Sequence, residues 1–211
     1  MKILFQGDSI TDAERDRNDF HDMGQGYAKF ASAMIADSFP DAEFEFINLG
    51  ISGNRSDNLI ERTESDIVDV QPDIISILLG VNDVWHRTHP EVLFTVTDEQ
   101  FEANYRAVLE RIRNATSAKI LMIEPFLLYA PDKEYMREEL DRICAIVRKL
   151  AEEYADAFLP MSDAFAAALP TAPTPDFYSA DGVHPNANGA AFLAEHYLHA
   201  ISPLIEAEVR N

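Results

Sequence analysis

Residues 1–11 read MKILFQGDSIT, an apolar run of strand length that stops at a glycine and turns polar at once. The same shape returns at 44–54, FEFINLGISGN, and at 74–83, IISILLGVND. A fourth apolar run, Ile120 to Ile123, is followed by Pro125, and a weaker fifth spans Ala157 to Met161. In these runs the apolar residues mostly fall on successive positions rather than alternate ones. That pattern predicts strands covered on both faces, as in a parallel sheet.

Helical spacing fills the gaps. Tyr27, Phe30, Ala31, Met34 and Ile35 share one helix face, as do Phe101, Tyr105, Val108, Leu109 and Ile112. Thr97 and Gln100, three apart, predict a capping box at the start of the latter helix. Ser56 is expected to cap a helix carrying Leu59, Ile60, Ile67 and Val70, and a long charged helix fits Glu134 to Tyr154. A last helix follows Asn188, with Phe192, Leu193, Tyr197, Ala200 and Ile201 inward. Strand and helix alternate about five times. The expectation is an α/β fold: a three-layer α/β/α sandwich with a five-stranded parallel sheet, right-handed crossovers, and a single domain over residues 1–211. No repeat or linker interrupts it, and Pro170 to Pro175 reads as a surface loop.

Charge narrows the partners. The chain carries 17 Lys plus Arg against 37 Asp plus Glu, a net charge of -20 in 211 residues. Such a surface repels phosphate backbones and anionic bilayers, so neither nucleic acid nor a membrane is an expected partner. A hydrophobic fraction of 47% supplies a core. No apolar run approaches the roughly 18 residues of a membrane span. MKILFQ meets Gly7 too soon for a signal peptide, so a cytoplasmic location is expected. Cys144, the only cysteine, sits among Leu140, Ile143, Ile146 and Val147 and reads as a buried structural thiol.

In open parallel sheets, functional groups collect beyond the carboxyl ends of the strands. There the sequence places Gly7-Asp8-Ser9-Ile10-Thr11, Gly50-Ile51-Ser52-Gly53-Asn54 and Gly80-Val81-Asn82-Asp83, and near the end of the chain Asp181-Gly182-Val183-His184-Pro185. A serine hydroxyl needs a base to become a nucleophile, and the base needs a third group to fix its tautomer. Asp and His three residues apart on one turn can form such a pair. Taken singly, Ser9 could merely cap a helix, and Asp181 with His184 could be an ordinary turn.

Together, in order, the four pieces resemble the signature blocks of the SGNH hydrolases, a branch of the GDSL esterase family. The resemblance runs from residue 7 to residue 185, and its one departure, Ile10 in place of Leu, touches no catalytic atom. It implies the flavodoxin-like SGNH hydrolase fold, with Ser9 as nucleophile, His184 as base and Asp181 as orienting carboxylate. It also implies an oxyanion hole formed by the Ser9 N–H, Gly53 and the Asn82 side chain, and needs no cofactor or metal. Asp8 and Asp83 are expected to bond neighbouring loop amides rather than transfer protons.

Several residues imitate function. Gly50-Ile51-Ser52-Gly53 nearly forms a Gly-x-Ser-x-Gly elbow, but Asn54 stands where the last glycine belongs, so Ser52 is not the expected nucleophile. Glu195, His196 and His199 lie close together without the His-Glu-x-x-His spacing of a zinc helix. His86 and His89 are expected in a loop, facing solvent.

The wider pattern, GDSITDAER, NLGISGN, GVNDVW and the pair Pro125-Phe126, resembles the carbohydrate acetyl esterases of the family, particularly the intracellular acetylxylan esterase group. This implies a small acetylated sugar as substrate, a homo-oligomeric assembly, and Arg15 and Trp85 at the rim of the site. Trp85 either stacks on a sugar ring or packs against the loop from His86 to Val96. The rival on the same scaffold is a lysophospholipase or acyl thioesterase. A reading of another class is a flavin- or phosphate-binding module using Ser9-Ile10-Thr11, which leaves Asn82, Asp181 and His184 without a role. The apolar stretches Val92 to Val96 and Phe126 to Tyr129 are expected at the surface, as a pocket wall or a subunit contact.

Overall fold

The structure, a computed structural model, describes residues 1–89, 91 and 94–210. Five strands, β1 (Lys2–Gly7), β2 (Glu45–Asn48), β3 (Ile74–Leu78), β4 (Lys119–Ile123) and β5 (Ala157–Leu159), form one parallel sheet in the order β2-β1-β3-β4-β5. Every residue of β3 is buried, as a strand covered on both faces must be. One layer pairs α2 (Tyr27–Ser38) with α8 (Ala187–Val209), and the other carries α3 (Ser56–Glu61), α5 (Asp98–Ala115) and α6 (Arg137–Tyr154). Aromatic rings weld the first layer to the sheet. Phe5 of β1 stacks on Tyr197 of α8 with ring centroids 5.2 Å apart and meets Tyr27 of α2 edge-on at 6.0 Å. The buried Tyr197 hydroxyl is satisfied by Ser76 Oγ of β3 at 3.1 Å.

The strand order reverses between β1 and β3, whose neighbours lie on opposite sides. Loops leaving these two strands diverge and open a crevice. Both give rise to short helices there, α1 (Ser9–Asp12) after β1 and α4 (Val81–Thr88) after β3. The turn into α4 requires Gly80, whose φ of +134° is closed to ordinary side chains. The remaining helix, α7 (Met161–Ala168), follows β5. The Thr97 and Gln100 capping box forms as expected, each side chain accepting the other's backbone N–H, at 3.2 and 2.9 Å.

Four expectations need correction. Ser56 does not cap a long helix: it is the first residue of α3, and its hydroxyl donates to Asp83 Oδ1 at 2.7 Å instead. The helix itself ends at Glu61 and resumes as a π-helical turn over Glu64–Val68. Phe126, Leu127 and Leu128 are buried in the core, and only Tyr129 of that stretch is exposed. Of the stretch from Val92 to Val96, residues 92 and 93 lie outside the described residues, Phe94 is exposed and Val96 is buried. His86 belongs to α4 rather than to a loop, and its Nδ1 accepts a hydrogen bond from Arg55 Nη1 at 2.8 Å, so it is not merely solvated. Cys144 is buried, its thiol against the Pro125 carbonyl at 3.2 Å.

Candidate active site

Gly7 ends β1 beside Leu78 of β3, and the chain turns through Asp8 into α1, so Ser9 stands at the mouth of the crevice. Asp8 caps α1 by accepting the Ile10 N–H through Oδ1 at 3.0 Å. From the far end of the chain, His184 reaches the same point. Its Nε2 lies 2.9 Å from Ser9 Oγ, and its Nδ1 lies 2.7 Å from Asp181 Oδ2. A carboxylate only accepts, so Nδ1 carries the proton, and the Nε2 lone pair faces the serine hydroxyl.

The turn bearing this pair is tied from within. Asp181 Oδ1 accepts the backbone N–H groups of Val183 and His184 at 2.9 and 2.8 Å. Burial pulls the Asp181 carboxyl upward, but the His184 ring and these N–H groups outweigh it and hold the group well below the usual carboxylate range. Ser179, buried under the turn, accepts the Gly182 N–H at 2.9 Å and lies 2.8 Å from the His184 carbonyl. Asp181 thus stays ionised whenever His184 needs it.

Gly53 and Asn82 share a cleft with Ser9 and His184. Gly53 has a φ of +84°, and no atom lies within 4 Å of where a side chain would start, so its backbone faces open space. Asn82 Nδ2 spends one N–H on the Asn54 carbonyl at 3.1 Å, which fixes the amide and leaves its second N–H. An arrangement of this kind can activate a serine and receive a developing oxyanion.

Arg15 and Trp85 do not share a rim. Arg15 is buried, its Nε donating to the Gly50 carbonyl at 3.0 Å, and it lines a cleft on one side of Ser9. Trp85 lines the Gly53 and Asn82 cleft on the other side, with one indole face stacked on His89 at 4.0 Å. Ser52 borders both clefts, while His184 is the group that engages Ser9 Oγ. His196 lies against the Phe192 ring at 4.3 Å, its Nδ1 on the Phe192 carbonyl, away from this crevice.

Two buried carboxyls flank the crevice. Burial pushes Asp8 from 3.8 up to about 7 against the pull of the Ile10 N–H. Burial likewise raises Asp83 to about 6, opposed by the Ser56 hydroxyl and N–H. Both accept hydrogen bonds, but from the first turns of α1 and α3 rather than from loop amides.

Sequence reasoning missed the residues that hold the loops. Arg62 donates to the carbonyls of Gly7 and Leu49 at 3.0 and 2.8 Å and to Asn54 Oδ1 at 2.7 Å, joining the ends of β1 and β2 to the Gly53 loop. Lys133 donates to the Asp181 carbonyl at 2.8 Å. Neither has a local signature, since Arg62 reaches Gly7 55 positions away and Lys133 reaches Asp181 48 positions away. Ser179, two residues before Asp181, was the one such residue that local spacing could have suggested.

A flavodoxin-like sheet with a serine hydrogen-bonded to a His–Asp pair at its switch point is the arrangement of an α/β serine hydrolase. The chain belongs to the GDSL-like Lipase/Acylhydrolase family, whose family model matches residues 5–192, and is a carboxylic ester hydrolase. It is 32% identical over 206 residues to an acetylxylan esterase of Geobacillus stearothermophilus, covering 95% of this chain and 93% of that one. The solved structure of Axe2, an acetylxylan esterase of the same organism, superposes with a TM-score of 0.86 at 30% identity, covering 94% of this chain and 92% of Axe2. The chain is also 25% identical to thioesterase 1/protease 1/lysophospholipase L1 of Escherichia coli, over 87% of its length and 81% of that protein's.

Proposed function

We propose that this protein is a serine esterase that removes acetyl groups from small acetylated carbohydrates of the xylo-oligosaccharide type, through an acyl-enzyme intermediate. The observation that carries the reading is the continuous hydrogen-bonded line from Ser9 Oγ through His184 to Asp181. Ser9 Oγ attacks the ester carbonyl and gives its proton to His184 Nε2, while Asp181 steadies the imidazolium. The negative oxygen of the tetrahedral intermediate is received by the N–H groups of Ser9 and Gly53 and by Asn82 Nδ2. Collapse breaks the bond to the sugar oxygen, which leaves with the proton from His184. Water then attacks acetyl-Ser9 by the same route, releasing acetate and restoring the serine proton.

The acetylated-sugar substrate is supported by similarity to the acetylxylan esterase and by the charge of -20, which disfavours phosphate-bearing acyl donors. The open geometry is consistent with soluble substrates, since the His184 and Asp181 side chains are half exposed. The proposal extends to a single domain and a cytoplasmic setting and, by the same resemblance, to a homo-oligomer. A second reading, acyl thioesterase or lysophospholipase, draws on the Escherichia coli relative and on the apolar Val81 and Met136 beside Asn82.

Release of acetate from a panel of acetylated xylo-oligosaccharides and monosaccharides, with Ser9→Ala as the blank, tests the proposal. A p-nitrophenyl ester series runs beside it. A sharp preference for acetate is expected, and activity that climbs toward octanoate would sink the sugar reading in favour of the second.

A further inference from the structure

The crevice divides at Ser9 into two clefts of different chemistry. The first, about 550 Å³, is walled by Asp12, Glu14, Arg15, Arg17 and Gln25. The second, about 370 Å³, holds Gly53 and Asn82 together with Val81, Trp85, Met136 and Val183. Ser9 and His184 border both.

Arg15 is the informative residue of the first cleft. It is 7% exposed, and while its Nε is taken by the Gly50 carbonyl, its Nη1 is buried with no partner. Among the described residues no carboxylate forms an ion pair with it. Asp12, three residues before it, is engaged elsewhere, accepting from Arg17 Nε at 3.1 Å and from the Ser52 N–H at 2.8 Å. A buried donor left unpaired is unfavourable, and a ligand acceptor placed there restores the missing bond.

The backbone at this wall is strained as well. Ala13 and Glu14 are consecutive non-glycine residues with φ of 41° and 63°. Such angles are unfavourable for residues with a side chain, and strain of this kind persists where surrounding contacts hold it. Here the Gln25 N–H grips the Ala13 carbonyl at 2.7 Å. The turn leads directly into Arg15, and Glu14 beside it is exposed, with no hydrogen bond or ion pair among the described residues.

We propose that the two clefts divide the ester: the Arg15 cleft takes the hydroxyl-bearing alcohol, with Arg15 Nη1 donating to a sugar oxygen, and the Trp85 cleft takes the acyl group. The inference rests on the serine esterase reading above. The carbonyl oxygen must face Gly53 and Asn82, which line the second cleft. Val81, Trp85, Met136 and Val183 give that cleft its apolar walls, and Trp85 is held in place by stacking one face on His89. The charged side chains of the first cleft, Asp12, Glu14, Arg15 and Arg17, match the part of the substrate that carries hydroxyls. When the bond between the acyl carbon and the alcohol oxygen breaks, His184 protonates that oxygen, the sugar departs through the first cleft, and the acetyl group stays on Ser9 Oγ in the second.

The test is crossed selectivity. Leaving-group selectivity is kcat/KM for an acetylated xylo-oligosaccharide over kcat/KM for p-nitrophenyl acetate. Acyl selectivity is kcat/KM for p-nitrophenyl acetate over that for p-nitrophenyl butyrate. Arg15→Lys is expected to lower the first ratio about 10- to 100-fold, the range for a lost hydrogen bond to a charged donor, and to leave the second within twofold. Glu14→Ala, which breaks no internal contact, is expected to lower the first ratio about 2- to 10-fold and keeps the test valid if Arg15→Lys folds poorly. Trp85→Ala is expected to move the second ratio toward butyrate and not the first. Variants that shift the ratios in the opposite pairing, or each shift both, overturn the assignment. A wild type that cleaves aryl acetates but no acetylated sugar instead overturns the carbohydrate reading, and with it a sugar in the Arg15 cleft.

Discussion

Replacing Asp8 by asparagine changes stability by an amount that depends on pH, with a sign that the structure dictates. Asp8 is 1% exposed, its Oδ1 accepts the Ile10 N–H, and its Oδ2 is buried with no partner. Burial raises its carboxyl from 3.8 to about 7. Between those values the native protein keeps a proton that the unfolded chain has released. Stability from this group is therefore complete below about pH 4 and is lost as the pH rises through about 7. At about 1.4 kcal/mol per unit of pKa difference, a difference of about three units amounts to about 4 kcal/mol. Asparagine is neutral throughout and can still accept from Ile10. Its amide leaves one buried donor unpaired, a cost of about 1–3 kcal/mol that does not vary with pH. Urea denaturation followed by Trp85 fluorescence from pH 4.5 to 8 measures both proteins. The variant is expected to gain about 3–4 kcal/mol on the wild type across that range, because Asp83, Asp181 and the histidines are common to both. A difference that stays flat within about 1 kcal/mol would refute the reasoning.

Other perturbations are expected to act as follows. Ser9→Ala should lose acetate release and covalent labelling by a fluorophosphonate while its circular dichroism is unchanged. Residual labelling would place the nucleophile elsewhere. Asn82→Ala should lower kcat by about 10²–10³, about 2.7–4 kcal/mol of barrier, with KM nearly constant, read from steady-state kinetics. Gly80→Ala should unfold at lower temperature, by about 1–3 kcal/mol or more: its φ is +134°, and the new carbon would lie 2.8 Å from Ile143 Cγ2.

How much was legible in the sequence follows from which interactions are local. Strands announce themselves through runs such as Ile74 to Leu78, and the capping box at Thr97 through two residues three apart. Strand neighbours have no such signal. That β1 lies between β2 and β3 depends on where the connecting helices pack, which no local pattern records. The same division holds at the site. Ser9, Asn82, Asp181 and His184 stand in short blocks at the ends of elements, which made them candidates, but their separations belong to the fold. Ser56 misled because a serine before a helical pattern has two uses, capping and reaching a buried carboxylate, and Asp83 takes the second. Phe126 to Leu128 misled because an irregular segment between strand and helix was assumed to lie outside, whereas this one threads beneath the turn at Gly182, whose carbonyl accepts the Leu128 N–H at 2.8 Å. Arg15 and Trp85 were placed on one rim because sequence gives proximity to a block and no direction from it.

The turn from Ser179 to His184 has a consequence for how damage spreads. Asp181 orients the imidazole through contacts that all lie within six residues, so the base carries its own alignment with it. Ser9 rides on β1 at the other end of the chain. Loosening the sheet thus leaves a correctly aimed histidine and alters one coordinate, the gap to Oγ. Variants spread across the core should then fall on a single line when the logarithm of activity is plotted against the opening of that gap, whatever residue was changed.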